Sequence, residues 1–79
     1  MNAGIVVLDL HGKNKYQARV AIDAALRRSK GVYRIRLVHG YNSGTELRDM
    51  IRKEYSVHPK LIRLESTGEG STELVLREL

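Results

Sequence analysis

The stretch Ile5-Val6-Val7-Leu8-Asp9-Leu10-His11-Gly12 is β-branched and aliphatic through Leu10, too short for a helix, and closed by a glycine. Such a run predicts a strand that is buried over most of its surface and ends at His11-Gly12. Side chains alternate along a strand, so if Leu8 and Leu10 turn into a core, Asp9 and His11 point together to the opposite side.

Beyond Gly12 the period changes. Ala18, Ala21, Ile22, Ala25, Leu26 and Ser29 fall on one face of a helix. Asn14 is placed to cap it, with Gln17 at the third position completing a capping box. Arg27, Arg28 and Lys30 before Gly31 match a helix end, where cations meet the negative dipole end and glycine takes the left-handed conformation, so the helix is expected to run to Gly31.

Tyr33, Ile35 and Leu37 then alternate with Arg34 and Arg36, a strand with one buried and one open face, ending at His39-Gly40. Ser43-Gly44-Thr45-Glu46 has capping-box spacing. Leu47, Met50, Ile51 and Tyr55 form a second apolar stripe, predicting a helix over roughly 44–56 that Pro59 prevents from continuing. Ile62 and Leu64, then Leu74 and Leu76, flank Thr67-Gly68-Glu69-Gly70 and read as a closing hairpin. The order is βαβαββ, an α/β two-layer arrangement. Right-handed crossovers put both helices on one face of the sheet and leave Arg34, Arg36, Arg63 and Arg77 on the other.

Residues 1–79 read as one domain, with a core from about residue 5 onward. Apolar residues make up 42% and charged residues 29%, a globular balance. With no cysteine, thiolate zinc sites, disulfide scaffolds and thiol nucleophiles are excluded, and a cytoplasmic setting is expected. No apolar run exceeds Ile5-Val6-Val7-Leu8, far short of a membrane span. The formal net charge is +5, which favours polyanionic partners. Eight Lys or Arg against Asp23 alone place +7 between His11 and Arg36, leaving −2 for the rest.

The first two strands are parallel, so the segment from Asp9 to Gly12 and the pair His39-Gly40 arrive at one carboxyl-terminal edge, where open α/β sheets bind ligands. Asp9 and His11 suit a general acid/base pair or two ligands of a divalent metal. Spacing and composition alone favour a structural role, the carboxylate capping a backbone amide or orienting a lysine and the imidazole packing at a strand end. His39-Gly40-Tyr41-Asn42-Ser43-Gly44 resembles a phosphate cradle, since glycines admit an anion and the following helix presents free N–H groups from Thr45 onward. An ordinary strand-to-helix turn fits the same residues. Arg48 and Arg52 lie four apart on the second helix, Arg48 within reach of the same phosphate, and Tyr41 is placed to stack on a base. Arg48 equally suits a solvated helix face. His58 has no evident partner in sequence and reads as a surface residue.

Leu8-Asp9-Leu10-His11-Gly12, His39-Gly40 and the Gly44-Thr45-x-Leu47-Arg48 that follows resemble the Smr (small MutS-related) domain, found alone or at the C-terminus of MutS2-type proteins. The resemblance covers nearly the whole chain. It implies a mixed sheet of order 1-2-4-3, like that in the C-terminal domain of the third bacterial translation initiation factor. It also implies binding to DNA or RNA, with nicking endonuclease activity of little sequence preference. Asp9 and His11 correspond to the first motif, and His39, Gly40 and Gly44 to the second. Asn42 departs from the pattern, standing where many members have glycine.

The expected site therefore has Asp9, His11 and His39 as catalytic residues. Gly12, Lys13, Gly40, Tyr41, Asn42, Ser43, Gly44, Thr45, Arg48, Arg34 and Arg36 are expected to hold phosphates. One acid near the motif is too few for a two-metal site, so a magnesium or manganese ion would be single and weakly held. The rival reading is a non-catalytic module that recognises branched DNA or structured RNA by shape and charge, and a third is an adaptor whose basic surface meets an acidic protein or the ribosome; in a longer chain a MutS2-type ATPase is the expected partner.

Overall fold

The computed structural model describes residues 4–40 and 45–78. The elements are β1 (Ile5–Asp9), α1 (Lys15–Arg27), β2 (Arg34–Val38), α2 (Thr45–Tyr55), β3 (Arg63–Ser66) and β4 (Ser71–Val75). The sheet order is β1-β2-β4-β3. β1 and β2 pair in parallel, while β4 pairs antiparallel with both β2 and β3. Element order and sheet order both match the expectation.

Local sequence explains how α1 begins. Asn14 is extended, its side chain accepts the Gln17 N–H at 2.8 Å, and the Gln17 side chain accepts the Asn14 N–H at 3.0 Å. The reciprocal box satisfies two of the orphan donors of the first turn. The end of α1 falls earlier than Gly31. The helix closes at Arg27, and the Leu26 carbonyl accepts from the Ser29 hydroxyl at 2.6 Å and from Lys60 Nζ at 2.8 Å. Gly31, at φ +80°, serves a separate turn in which Val32 N–H bonds the Ser29 carbonyl. A lysine more than thirty residues away thus takes part in ending a helix whose own sequence favours running on.

Leu10, Ala18, Ile22, Leu26, Ile35, Leu37, Leu47, Met50, Ile51, Tyr55 and Leu74 form one buried cluster. Ile35 and Leu37 share a strand face, and both helical stripes join the same cluster, so both helices cover that one face. Each large side chain so buried contributes roughly 1.5–3 kcal/mol of transfer free energy.

Two strand expectations are corrected. β1 is not mostly buried: Ile5, Val6 and Val7 are exposed, Leu8 is half-buried, and only Leu10, beyond its end, is fully covered. A β-branched run suits an edge strand as well as a central one, and β1 is an edge. Ile62 is likewise exposed and precedes β3 rather than opening it.

The open face carries an ion-pair lattice. Arg34 bridges Glu65 at 2.8 Å and Glu73 at 2.9 Å, Arg36 reaches Glu73 at 2.6 Å, and Arg63 reaches Glu65 and Glu78. Beneath it Val75 is fully buried, with Arg34 and Arg63 as its cross-strand neighbours. Arg77 departs from this set, its guanidinium lying 5.7 Å from the centroid of the Tyr33 ring. Folding therefore returns C-terminal acids to the basic first half, and the +7 segment is less positive in space than along the chain.

Burial of Glu73 opposes its charge, but hydrogen bonds from Arg34 and Arg36 outweigh it and hold the carboxyl below its ordinary value. Hydrogen bonds from Arg34 and Arg63 lower Glu65 likewise. Depressed folded-state values stabilise the protein above the unfolded value near 4.5, and that stabilisation disappears as pH falls through the lowered ones. Thermal melting followed by circular dichroism from neutral to acid pH is expected to show it. Glu73→Ala should cost about 2 kcal/mol at neutral pH, roughly 10 °C in Tm, and flatten the decline below pH 4.5.

Candidate nucleic-acid interface

Parallel pairing of β1 with β2 sets Asp9 opposite Val38, and the Leu10 N–H donates to the Val38 carbonyl at 2.8 Å. The chain then turns, with Lys13 N–H on the Leu10 carbonyl at 3.0 Å and Gly12 at φ +80°. Glycine is required at that turn position by its backbone angle, since a Cβ there would meet open space. A Cβ on Gly40, by contrast, would stand 3.8 Å from His11 Cβ. The two motifs do converge at one edge.

Asp9 and His11 form a dyad. One carboxylate oxygen accepts from His11 Nδ1 at 2.5 Å and from the His11 backbone N–H at 3.1 Å. These bonds, the side-chain one foremost, hold the Asp9 carboxyl below its usual range, and the charge of Lys13 adds to the effect. A carboxylate only accepts, so Nδ1 carries the hydrogen and Nε2 of a neutral ring offers its lone pair. The side chains are 72% exposed for His11 and 59% for Asp9, so that lone pair faces solvent. The arrangement combines both roles left open by the sequence: the carboxylate caps an amide and orients an imidazole.

His39 stands apart. It is 2% exposed, with Nδ1 on the Gly40 carbonyl at 3.0 Å and Nε2 on the Thr72 hydroxyl at 3.1 Å. A neutral ring protonated at Nδ1 satisfies both, the threonine hydroxyl donating to Nε2. The backbone N–H groups of His39 and Gly40 both donate to the Gly70 carbonyl at 3.0 Å, anchoring the second motif to the β3–β4 turn. The sequence marks Gly70 only as part of the hairpin turn and does not single out Thr72. The one trace of Thr72 was its inward place two residues before Leu74.

Thr45, Arg48 and Arg52 line a hollow of about 380 Å³ facing Ser66, Gly68 and Glu69, which includes neither Asp9 nor His11. Arg48 also makes a long contact of 3.3 Å to Asp49. Arg34 and Arg36 sit on the open face within the glutamate lattice. Tyr41, Asn42, Ser43 and Gly44, with the expected phosphate cradle and capping box, lie outside the described residues. His58 has partners after all: its Nδ1 accepts the Lys60 N–H at 3.1 Å, and its ring stacks on Tyr55. Among the described residues no three His, Asp or Glu side chains converge, and no helix is long and apolar enough to cross a membrane.

The family model for the Smr domain matches residues 8–77, from the first motif to the end of the hairpin. This chain belongs to the Smr family. The family is associated with nucleic-acid binding and nuclease activity. The fold is similar to the crystal structure of the Smr domain of Thermus thermophilus MutS2, with a TM-score of 0.80 and 29% identity over 92% of this chain and 99% of that one. No curated protein matches this chain.

For this Smr domain the buried contact between His39 and Thr72 is testable as structure. Thr72→Val removes the hydroxyl and strands Nε2 of a buried ring, which should cost about 1–3 kcal/mol in chemical denaturation. Thr72→Ser should retain most of the stability.

Proposed function

We propose that this Smr domain binds nucleic acid along the edge where its two motifs meet, and that the dyad of Asp9 and His11 hydrolyses phosphodiester bonds in DNA or structured RNA. The observation that carries the reading is the exposed His11 Nε2, oriented by a carboxylate bonded to Nδ1 at 2.5 Å. In the reaction a water oxygen attacks phosphorus, its proton passes to Nε2, the P–O bond to the leaving strand breaks, and that oxygen takes a proton from solvent. Asp9 acts as the positioning partner, and His39, held inside by Thr72, positions the second motif.

The backbone is held by Lys13, the amides of Tyr41, Asn42, Ser43, Gly44 and Thr45, and Arg48, with Gly12 and Gly40 admitting close approach. Arg34 and Arg36 contribute through guanidinium donors that their glutamates leave over. Such contacts stabilise developing charge mainly by being in place beforehand. The setting is the cytoplasm, with the ribosome or a MutS2-type ATPase as further partners.

Magnesium or manganese would supply charge stabilisation in such chemistry, but the donor set does not fit a protein-held ion. Hard cations take oxygen ligands, and the one carboxylate at the motif has an oxygen committed to His11. No step is routed through a metal. The same shortage of converging groups favours a second reading, a binding module without cleavage.

The test incubates the purified protein with supercoiled DNA and with structured RNA, with and without magnesium or manganese. His11→Ala is expected to lower cleavage by roughly 10²–10⁴-fold, with Asp9→Asn in between. If His11→Ala and Asp9→Ala cleave like the wild type, the dyad is not the centre; if nothing cleaves yet all bind, the binding module stands.

A further inference from the structure

Pairing removes several cations from the electrostatic surface: Arg19 is held by Glu54, and Arg34, Arg36 and Arg63 by Glu65, Glu73 and Glu78. A second group keeps its charge. Arg27, Lys30, Lys60 and Arg77 line a hollow of about 360 Å³ with no acid in its lining, and none of the four is ion-paired among the described residues.

The topology puts this hollow at the pole opposite the dyad. β1 runs toward Asp9, and α1 returns through 13 residues, a length of about 20 Å. Ser29, after α1, Val32, before β2, and Leu76, after β4, complete the lining at the pole where β1 begins. The negative end of the α1 dipole is already countered there, because the Leu26 carbonyl accepts from Ser29 and Lys60. Arg77 lies over the Tyr33 ring, which keeps its long side chain in place without neutralising it.

We infer that this hollow is a second phosphate-binding site, taking the backbone of the same nucleic acid that the motif edge engages. The inference rests on the nucleic-acid reading above. Four cations without an ion-pair partner among the described residues, of which Lys60 also donates to the Leu26 carbonyl, surround a concavity suited to phosphate oxygens, and guanidinium forks can take them bidentately. Two sites about 20 Å apart would span roughly 6 base pairs of a duplex strand. Held at both poles, the strand cannot pivot about the dyad, so the scissile phosphate is presented in one orientation.

The test measures fluorescence anisotropy of a labelled duplex of about 20 base pairs, well beyond the ~6 needed, and of an RNA hairpin, across a salt series. Arg27→Ala/Lys30→Ala is compared with Lys13→Ala and with the charge-retaining Lys30→Arg. Each lost phosphate contact should lower the slope of log K against log salt by about 0.7–0.9. The double variant is therefore expected to lose about 1.4–1.8, with Lys30→Arg at wild type. If the double variant keeps the wild-type slope while Lys13→Ala lowers it, the second site is refuted and the motif edge survives. If the wild type binds neither probe with salt dependence, both readings fall.

Discussion

A slip of one residue between β2 and β4 would turn Ile35 and Leu37 out to solvent and drive Arg34 and Arg36 into the core. The register that forbids it does three things at once. On one face it places Leu37 and Ile35 against Thr72 and Leu74. On the other it places Glu73 across from Arg36, in reach of Arg34 as well. Past the strand end it continues as two N–H groups on the Gly70 carbonyl, so His39 and Gly40 inherit their positions from the same pairing. The second motif is a prolongation of the central ladder, and its precision derives from the most buried strand of the sheet.

The first motif is built differently. Its strand is an exposed edge, and the dyad depends on a local turn at Gly12 and on hydrogen bonds within three residues. The imidazole is oriented but not desolvated. In water an exposed acid/base pair gains little from its partner's charge, because the solvent screens it. On the proposed function, a bound polyanion would change that by covering the edge and excluding water from it. A small domain buries a small share of its surface, so a group at its sheet edge stays open to solvent.

What was legible in the sequence was what neighbours decide. The Asn14 box, the outward pair of Asp9 and His11 and the element order all follow from spacing. The end of α1 was misplaced because Lys60, remote in sequence, caps Leu26. The burial of β1 was overestimated because composition does not distinguish edge from centre. His39 is the instructive case: the alternation that carries Ile35 and Leu37 inward carries His39 with them. The rule that correctly turned His11 outward, applied to the second motif, would have buried its histidine. The motif resemblance was the stronger signal there, and it says nothing about which side chain faces the ligand.

Charge shows the same division between chain and space. The basic first half looks like one continuous positive surface when read along the sequence. In the fold Arg19, Arg34 and Arg36 are matched by Glu54, Glu65 and Glu73. Lys13, Lys15, Arg27, Arg28 and Lys30 make no ion pair among the described residues, and they fall at the two ends of α1. Salt-screened steering acts through charges left unpaired near the surface. The helix is thus flanked by two positive poles with a balanced lattice on the open face of the sheet, and a long polyanion would be steered along α1, the arginines of that face offering local donors rather than net charge.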